Sequence, residues 1–231
     1  MLEDFKLRFI NNFITDDRWR YITDGLWVTL KITFFAALIG IAIGFVVAVI
    51  RSTHDRTGKL KFLDALCRIY LTVIRGTPVV VQLMIMVFII FSKAPMDLTI
   101  YVAMLAFGIN SGAYVAEIVR GGIMSVDYGQ MEAGRSLGFN YGQTMWYIIA
   151  PQAFKTVLPS LANEFIVLLK ETSVAGYIAL QDLTKGGYII LGRTYDAFMP
   201  LIAVAIIYLV LVMGLSACVT RLERRLRNSD H

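Results

Sequence analysis

The sequence predicts an all-α membrane protein with about five spanning helices, and three observations predict it. The chain is 57% hydrophobic and 17% charged, with a mean hydropathy of +0.65; a soluble domain carries roughly 45–50% apolar and about 25% charged residues. Its apolar residues fall in runs long enough to cross a bilayer, separated by polar breaks. Its basic residues gather at the ends of those runs. That placement, with a net charge of only +5 over 231 residues, reads as topology control and excludes a nucleic-acid surface.

Residues 1–24 interleave Phe5, Phe9, Ile10, Phe13, Trp19 and Tyr21 with Lys6, Arg8, Asp16 and Asp17. This stretch lacks the continuous apolar core of a cleavable signal peptide, and its alternation predicts a short helix lying along the membrane surface. A single transmembrane domain follows over residues 25–221. Its first span is Trp27–Ile50, where Lys31 snorkels from near one end. Within that span Ala36, Gly40, Gly44 and Ala48 recur every fourth residue, a stripe of small side chains where another helix can approach closely. Arg51, Arg56, Lys59 and Lys61 place the next break on the cytoplasmic side.

The second span, Ala65–Phe91, contains Arg75-Gly76-Thr77-Pro78, and Gly with Pro predicts a kink or break near Pro78. A short outer loop with Lys93 and Pro95 leads to the third span, Thr99–Val119, which carries Asn110, Ser111, Tyr114 and Glu117. Arg120–Tyr147 is a polar cytoplasmic loop. The fourth span, Pro151–Leu169, is short and interrupted by Asn163 and Glu164. Residues 170–196, with Gly176, Gly186, Gly187 and Gly192, form an outer loop before the fifth span, Ala197–Thr220. Arg221, Arg224, Arg225 and Arg227 then mark a cytoplasmic tail, 222–231. An outside N-terminus and a cytoplasmic C-terminus satisfy both strong basic clusters. Lys6, Arg8, Arg18 and Arg20 point the other way and are outweighed by span parity.

The strongest motif runs from Glu132 to Pro151. It reads Glu132-Ala133-Gly134, three residues, Gly138, nine residues, then Ile148-Ile149-Ala150-Pro151. Gly138 ends one helical segment and lets the chain turn into the next. Glu132 is available to a basic residue of a partner, with Gln130 and Arg135 near enough to join it. A Gly-punctuated amphipathic stretch on one side of a membrane protein is a docking surface for a soluble partner.

This spacing resembles the EAA loop of ATP-binding-cassette import permeases, with Gly134 in place of the second Ala and Ala150 in place of Leu. Further segments are similar to the polar amino acid permeases of that class. They are Arg75-Gly76-Thr77-Pro78 with Val81-Gln82-Leu83, the run from Ser111 to Ile123, Pro151-Gln152-Ala153, Leu158 to Asn163, and Leu169 to Ser173. The resemblance spans roughly residues 20–220. It implies the type I importer permease fold and a multi-pass location in a bacterial inner membrane. It implies that Gln130, Glu132, Ala133, Gly134, Arg135, Gly138, Ile148 and Pro151 form the loop coupled to an ABC ATPase. It also implies the partners: two ATPase copies, a second permease subunit (the same chain or a similar one), an extracytoplasmic solute-binding protein and an amino acid substrate. ATP and Mg would be bound by the ATPase, with no cofactor on this chain.

Ionisable groups within spans are costly, about 2.5–3.5 kcal/mol at a helix centre, and mark candidate pathways. Arg75 could offer a donor fork to an amino acid carboxylate, and Ser111, Asn163 and Glu164 could offer acceptors to its ammonium. Tyr114 and Glu117 lie on the same third span, and Glu117 can pair with Arg120 three residues on. An acidic pathway residue leans toward cationic amino acids. Gly187 and Gly192-Arg193-Thr194 approximate a phosphate loop, but no strand precedes them. His54 and His231 are too isolated to bind a metal. The chain therefore reads as a transport subunit rather than an enzyme. The alternative, an ion-coupled secondary carrier, is built from paired inverted repeats, into which five spans do not divide.

Overall fold

The computed structural model describes residues 2–227, and every regular element among them is helical. His231 and the last residues of the expected tail, 228–231, lie outside the described residues.

The chain begins with α1, Leu2–Phe9, continued by a π turn over Ile10–Ile14. Asp16 and Asp17 both take a φ of 53°, and this left-handed pair separates α1 from α2, Trp19–Thr57. The N-terminal segment is clasped to a distant part of the chain. Arg8 donates to Asp196 through Nε and Nη2 at 3.1 and 3.0 Å. Asn12, fully buried, donates to Asp196 at 2.9 Å and accepts from Thr194 at 2.8 Å. The Arg8 hydrogen bond holds the Asp196 carboxyl below its usual range. A lowered folded-state pKa stabilises above the unfolded value, about 3.9, and the contribution is lost as pH falls through the lowered pKa. Asp196→Asn is therefore expected to speed protease cleavage near Phe13 at neutral pH, and wild type to lose its advantage only in acid. Equal cleavage rates at neutral pH would show that the clasp does not hold the segment.

Helix α2 has 39 residues, about 58 Å of helix, so it overruns a hydrocarbon core of about 30 Å at both ends. Its C-terminus turns at Gly58, φ +67°, whose N–H returns to His54 O. Next come α3, Lys61–Arg75, and α4, Val79–Ile85, which runs on through a π turn over Met86–Ile90. The two halves meet at 106° across Gly76–Pro78, so the expected kink is a full break. The Gln82 amide mends the break, donating to Ile74 O at 2.7 Å and Thr77 O at 3.0 Å.

The remaining helices are α5 (Thr99–Met124), α6 (Tyr128–Ser136), α7 (Tyr141–Thr144), α8 (Ala150–Glu171), α9 (Leu183–Thr194) and α10 (Phe198–Arg227). Among the described residues, three segments are long and apolar enough to cross a membrane: Trp19–Thr57, Met96–Met124 and Phe198–Leu226. The bent α3–α4 pair makes a fourth if its two halves are one broken span rather than a re-entrant loop. The fourth span expected from sequence falls within α8, which is 22 residues long but carries Lys155, Glu164, Lys170 and Glu171 and so fails on apolarity rather than length.

Residues 170–196 correct the expectation of an outer loop. They hold a 3-10 turn, Thr172–Ile178, and then α9. The sequence signal was Asp182, whose carboxylate accepts from the N–H groups of Thr184 and Lys185 and caps the helix. The glycines that suggested a loop serve close packing instead: a Cβ at Gly186 would collide with Tyr21 O on α2. The phosphate-loop look-alike is thus part of a helix.

The centre of the fold is the α2–α5 pair. The stripe Ala36, Gly40, Gly44 and Ala48 is buried against it, as expected. Ile32, Leu83, Phe107, Leu168 and Ile178 join α2, α4, α5, α8 and the 3-10 turn in one apolar core. In α10, by contrast, only 6% of the apolar window is buried within the chain.

Candidate functional site

Two constellations emerge, one on a projecting helix and one between helices. The projecting helix is α6. The Asp127 carboxylate accepts from Gly129 N at 2.6 Å and caps its start. Its end turns through Gly138, φ +88°, with Gly138 N–H on Arg135 O and Phe139 N–H on Gly134 O. A reciprocal capping box, Asn140 with Gln143, then starts α7. Pro151 sits at the start of α8, directly after the π turn Met145–Ile149 that carries α7 into α8 without a break. The helix–turn–helix anticipated around Gly138 is therefore present, with side-chain caps at the starts of α6 and α7 and the Gly138 turn between them.

One face of α6 is buried through Met131 and Gly134. Gly134 packs on Thr144 and Ile148: a Cβ there would lie 2.6 Å from Thr144 Cγ2 and 2.8 Å from Ile148 Cδ1. The departure from Ala at this position thus has a packing cause. The other face is open, exposing Glu132, Ala133 and Arg135, with Tyr128 and Leu137 beside them. Glu132 forms no ion pair or hydrogen bond among the described residues. Neither Arg135 nor Gln130 joins it; Gln130 accepts instead from Gln152 at 3.4 Å. Arg56 at the end of α2 mounts α6 on the bundle, donating to Ile123 O at 3.4 Å and lying 6.0 Å over the Tyr128 ring. Sequence reasoning took Arg56 only as a topology signal, because its partners here are distant in the chain.

The in-span candidates divide into two groups. Ser111 on α5 donates to Glu164 on α8 at 2.9 Å. Asn163, next to Glu164, points elsewhere: its amide donates to Pro159 O, one turn back, in an exposed position. Arg75 is not with Glu164. Its guanidinium lies 5.7 Å over the Tyr114 ring and 3.9 Å from Glu117. The donor fork and the acceptors expected to share one amino acid are therefore in separate places.

Glu117 pairs with Arg120 at 3.5 Å, as expected, but more closely with Arg51 at 2.9 Å. Arg51 also reaches Asp64 at 3.5 Å, and Arg68 holds Asp64 at 2.7 Å. Arg120 spans onward to Asp55 at 3.3 Å. This network ties α2, α3 and α5 together at one end. The Asp64–Arg68 spacing of four was its legible signal. A further link, Asn110 to Gln82 at 3.0 Å, joins α5 to the broken span.

Comparison with known proteins agrees with this architecture. Residues 40–228 match the family described as binding-protein-dependent transport system inner membrane component. The arginine transport system permease protein ArtQ of Bacillus subtilis (strain 168) is 37% identical over 211 residues, covering 91% of this chain and 94% of that protein. The glutamine transport system permease protein GlnP of Escherichia coli (strain K12) is 36% identical, covering 85% and 90%. A crystal structure described as an amino acid ABC transporter with histidines superposes with a TM-score of 0.81 at 40% identity, covering 89% of this chain and 94% of the other. An inward-facing structure of the MetNI methionine ABC transporter has a TM-score of 0.79 at 20% identity, a likeness of fold. The chain belongs to the family of binding-protein-dependent transport system inner membrane components, the membrane permeases of ABC importers.

Proposed function

We propose that this chain is the permease of an amino acid importer and passes the motion of a separate ATPase to its own helices through α6. The observation that carries the reading is the open face of α6. It is capped at both ends, fixed to the bundle through Met131, Gly134 and Arg56, and presents Glu132 with no partner of its own. A rigid short helix so mounted transmits force, where a loose loop would absorb it. The amino acid reading is supported by the substrates named for the relatives and by the chemistry of Ser111–Glu164. A carboxylate between two helices of the bundle is an acceptor for an ammonium group. We place Glu164 and Ser111 on the pathway and lean toward cationic amino acids, with Asn163 flanking them.

In this reading ATP and Mg are held by two ATPase copies, and this chain performs no covalent chemistry. A second permease subunit completes the pathway, and an extracytoplasmic binding protein delivers the substrate. The N-terminus is outside, with α6 and the C-terminal tail in the cytoplasm, as the basic residues after α2 and at the end of α10 favour.

Reconstitution in liposomes with the ATPase and binding protein tests this. Uptake of radiolabelled arginine, histidine, glutamine and glutamate should require ATP. Glu164→Gln should cut uptake of the cationic substrates about tenfold relative to glutamine, as expected for loss of a charge-assisted contact of about 1.5 kcal/mol. An equal loss on all four would assign Glu164 to the shared α-ammonium and end the lean toward cationic substrates, and no loss on any would remove Glu164 from the pathway. Uptake driven by an ion gradient without the ATPase would favour a secondary carrier.

A further inference from the structure

The densest charge outside α6 and the Ser111–Glu164 pair lies where the end of α2 meets α3 and α5. An open cleft of about 350 Å³ there is lined by Arg51, Arg68, Leu71, Thr72, Arg75 and Glu117. The carboxylates near it are already shared. Glu117 takes Arg51, Arg120 and Arg75 at 2.9, 3.5 and 3.9 Å. Asp64 takes Arg68 and Arg51 at 2.7 and 3.5 Å, with His54 at 3.8 Å. Asp55 is engaged by Arg120. Four guanidinium groups thus meet three carboxylates. Arg75 has the longest of these contacts and is 46% exposed at its side chain, and Arg68 is 57% exposed. Each guanidinium has five N–H donors in a planar fork suited to an oxyanion. Donor capacity therefore remains, and it borders the cleft.

Helix α3 supplies the other half of the argument. Lys61, Arg68 and Arg75 run along one line at a spacing of seven. About a third of the way round the helix, past the exposed Ala65 and Thr72, Phe62, Leu66, Ile69 and Val73 recur at helical spacing as an exposed apolar stripe. An oxyanion site next to an apolar stripe is complementary to an anionic amphiphile. Its depth is also suitable: Arg51 directly follows the apolar run of α2 ending at Ile50, at the boundary where headgroups lie.

We propose that this cleft binds the headgroup phosphate of an anionic phospholipid, with an acyl chain laid along the α3 stripe. The lipid adds the missing negative charge to the Arg51–Arg75 cluster and braces α3 against α2 and α5, beside the 106° break.

The test uses the full chain reconstituted in phosphatidylcholine vesicles. Electron spin resonance of spin-labelled phosphatidylglycerol and phosphatidylcholine gives the relative association of each with the protein. Wild type should prefer phosphatidylglycerol by about fivefold or more, the effect of roughly one unscreened basic residue at the surface. The double variant Arg68→Gln/Arg75→Gln should lose the preference. Arg68→Lys/Arg75→Lys should keep most of it, because the charge remains in a folded chain. Lys93→Gln, in the exposed loop before α5, should leave it unchanged. The proposal fails if the Gln pair retains the preference, if the Lys pair loses it as fully, or if Lys93→Gln abolishes it. It also fails if millimolar inorganic phosphate removes the preference, since the cleft would then be a site for a free anion.

Discussion

Glu132→Arg is expected to abolish ATP-driven uptake while leaving the chain folded and inserted. The argument rests on where Glu132 stands. It is exposed on the open face of α6 and has no ion pair or hydrogen bond among the described residues, so its replacement breaks nothing within the chain. Surface substitutions of this kind change stability by less than about 0.5 kcal/mol. The helix itself is secured elsewhere, by the Asp127 cap, the Gly138 turn and the buried Met131 and Gly134. In the proposed function the open face of α6 docks the ATPase, and an acidic group there is expected to meet a basic group on the partner. Reversing its charge replaces attraction by like-charge repulsion, at about 2–5 kcal/mol for a desolvated pair, which is some tens to thousands of fold in docking. Three readouts check it: thermal stability of the purified chain, co-purification with the ATPase, and uptake. Normal stability with lost co-purification is the expected outcome. Unchanged uptake would show that the ATPase engages some other surface.

The class of fold was legible because hydropathy and basic clusters follow from the bilayer itself. The α6–α7 junction was legible for a different reason. Gly138 acts within a few residues of itself, so its signal survives any tertiary context; the Asn140–Gln143 box is equally local but was not read. The polar groups within the bundle were only half legible. That Arg75, Glu117 and Glu164 are candidates could be read from their cost in a membrane, and Ser111 from its place as a polar group in the third span. Which of them meet could not be read, because pairing depends on helix rotation and on the break at Gly76–Pro78. That break turns α4 away from the line of α3 and leaves Arg75 with Tyr114 and Glu117. Helix α9 was missed because its glycines carry two meanings. In sequence they read as loop; in the structure Gly186 is a point of contact with the α2 backbone, and only Asp182 announced the helix.

Those contacts lead to the second large effect: Gly44→Leu is expected to prevent accumulation of folded protein. A bare Cβ at Gly44 would lie 2.5 Å from Val115 Cγ1 and 2.8 Å from the backbone nitrogen of Ala116. A side chain can rotate away, but backbone cannot, so the helices must separate. Separation at this point is not local. One turn earlier, Gly40 lies against Ser111 and Gly112, and Gly108 lies against Ile39 and Ala36 O on the same seam. Overpacking costs about 1–3 kcal/mol even where neighbours can shift, and prying open a seam of small residues adds lost dispersion along its length. The seam also positions the proposed pathway pair, because Ser111 both packs on Gly40 and donates to Glu164. The contrast is Gly192→Ala, where nothing lies within 4 Å of the added Cβ. That change sits in α9 and should be neutral or stabilising by up to about 1 kcal/mol, the usual gain of Ala over Gly in a helix. Yield of monodisperse protein and its melting temperature measure both. Near-normal values for Gly44→Leu would mean that the α2–α5 seam tolerates a wider spacing than its close packing requires, and that Ser111 and Glu164 are held together by some other contact.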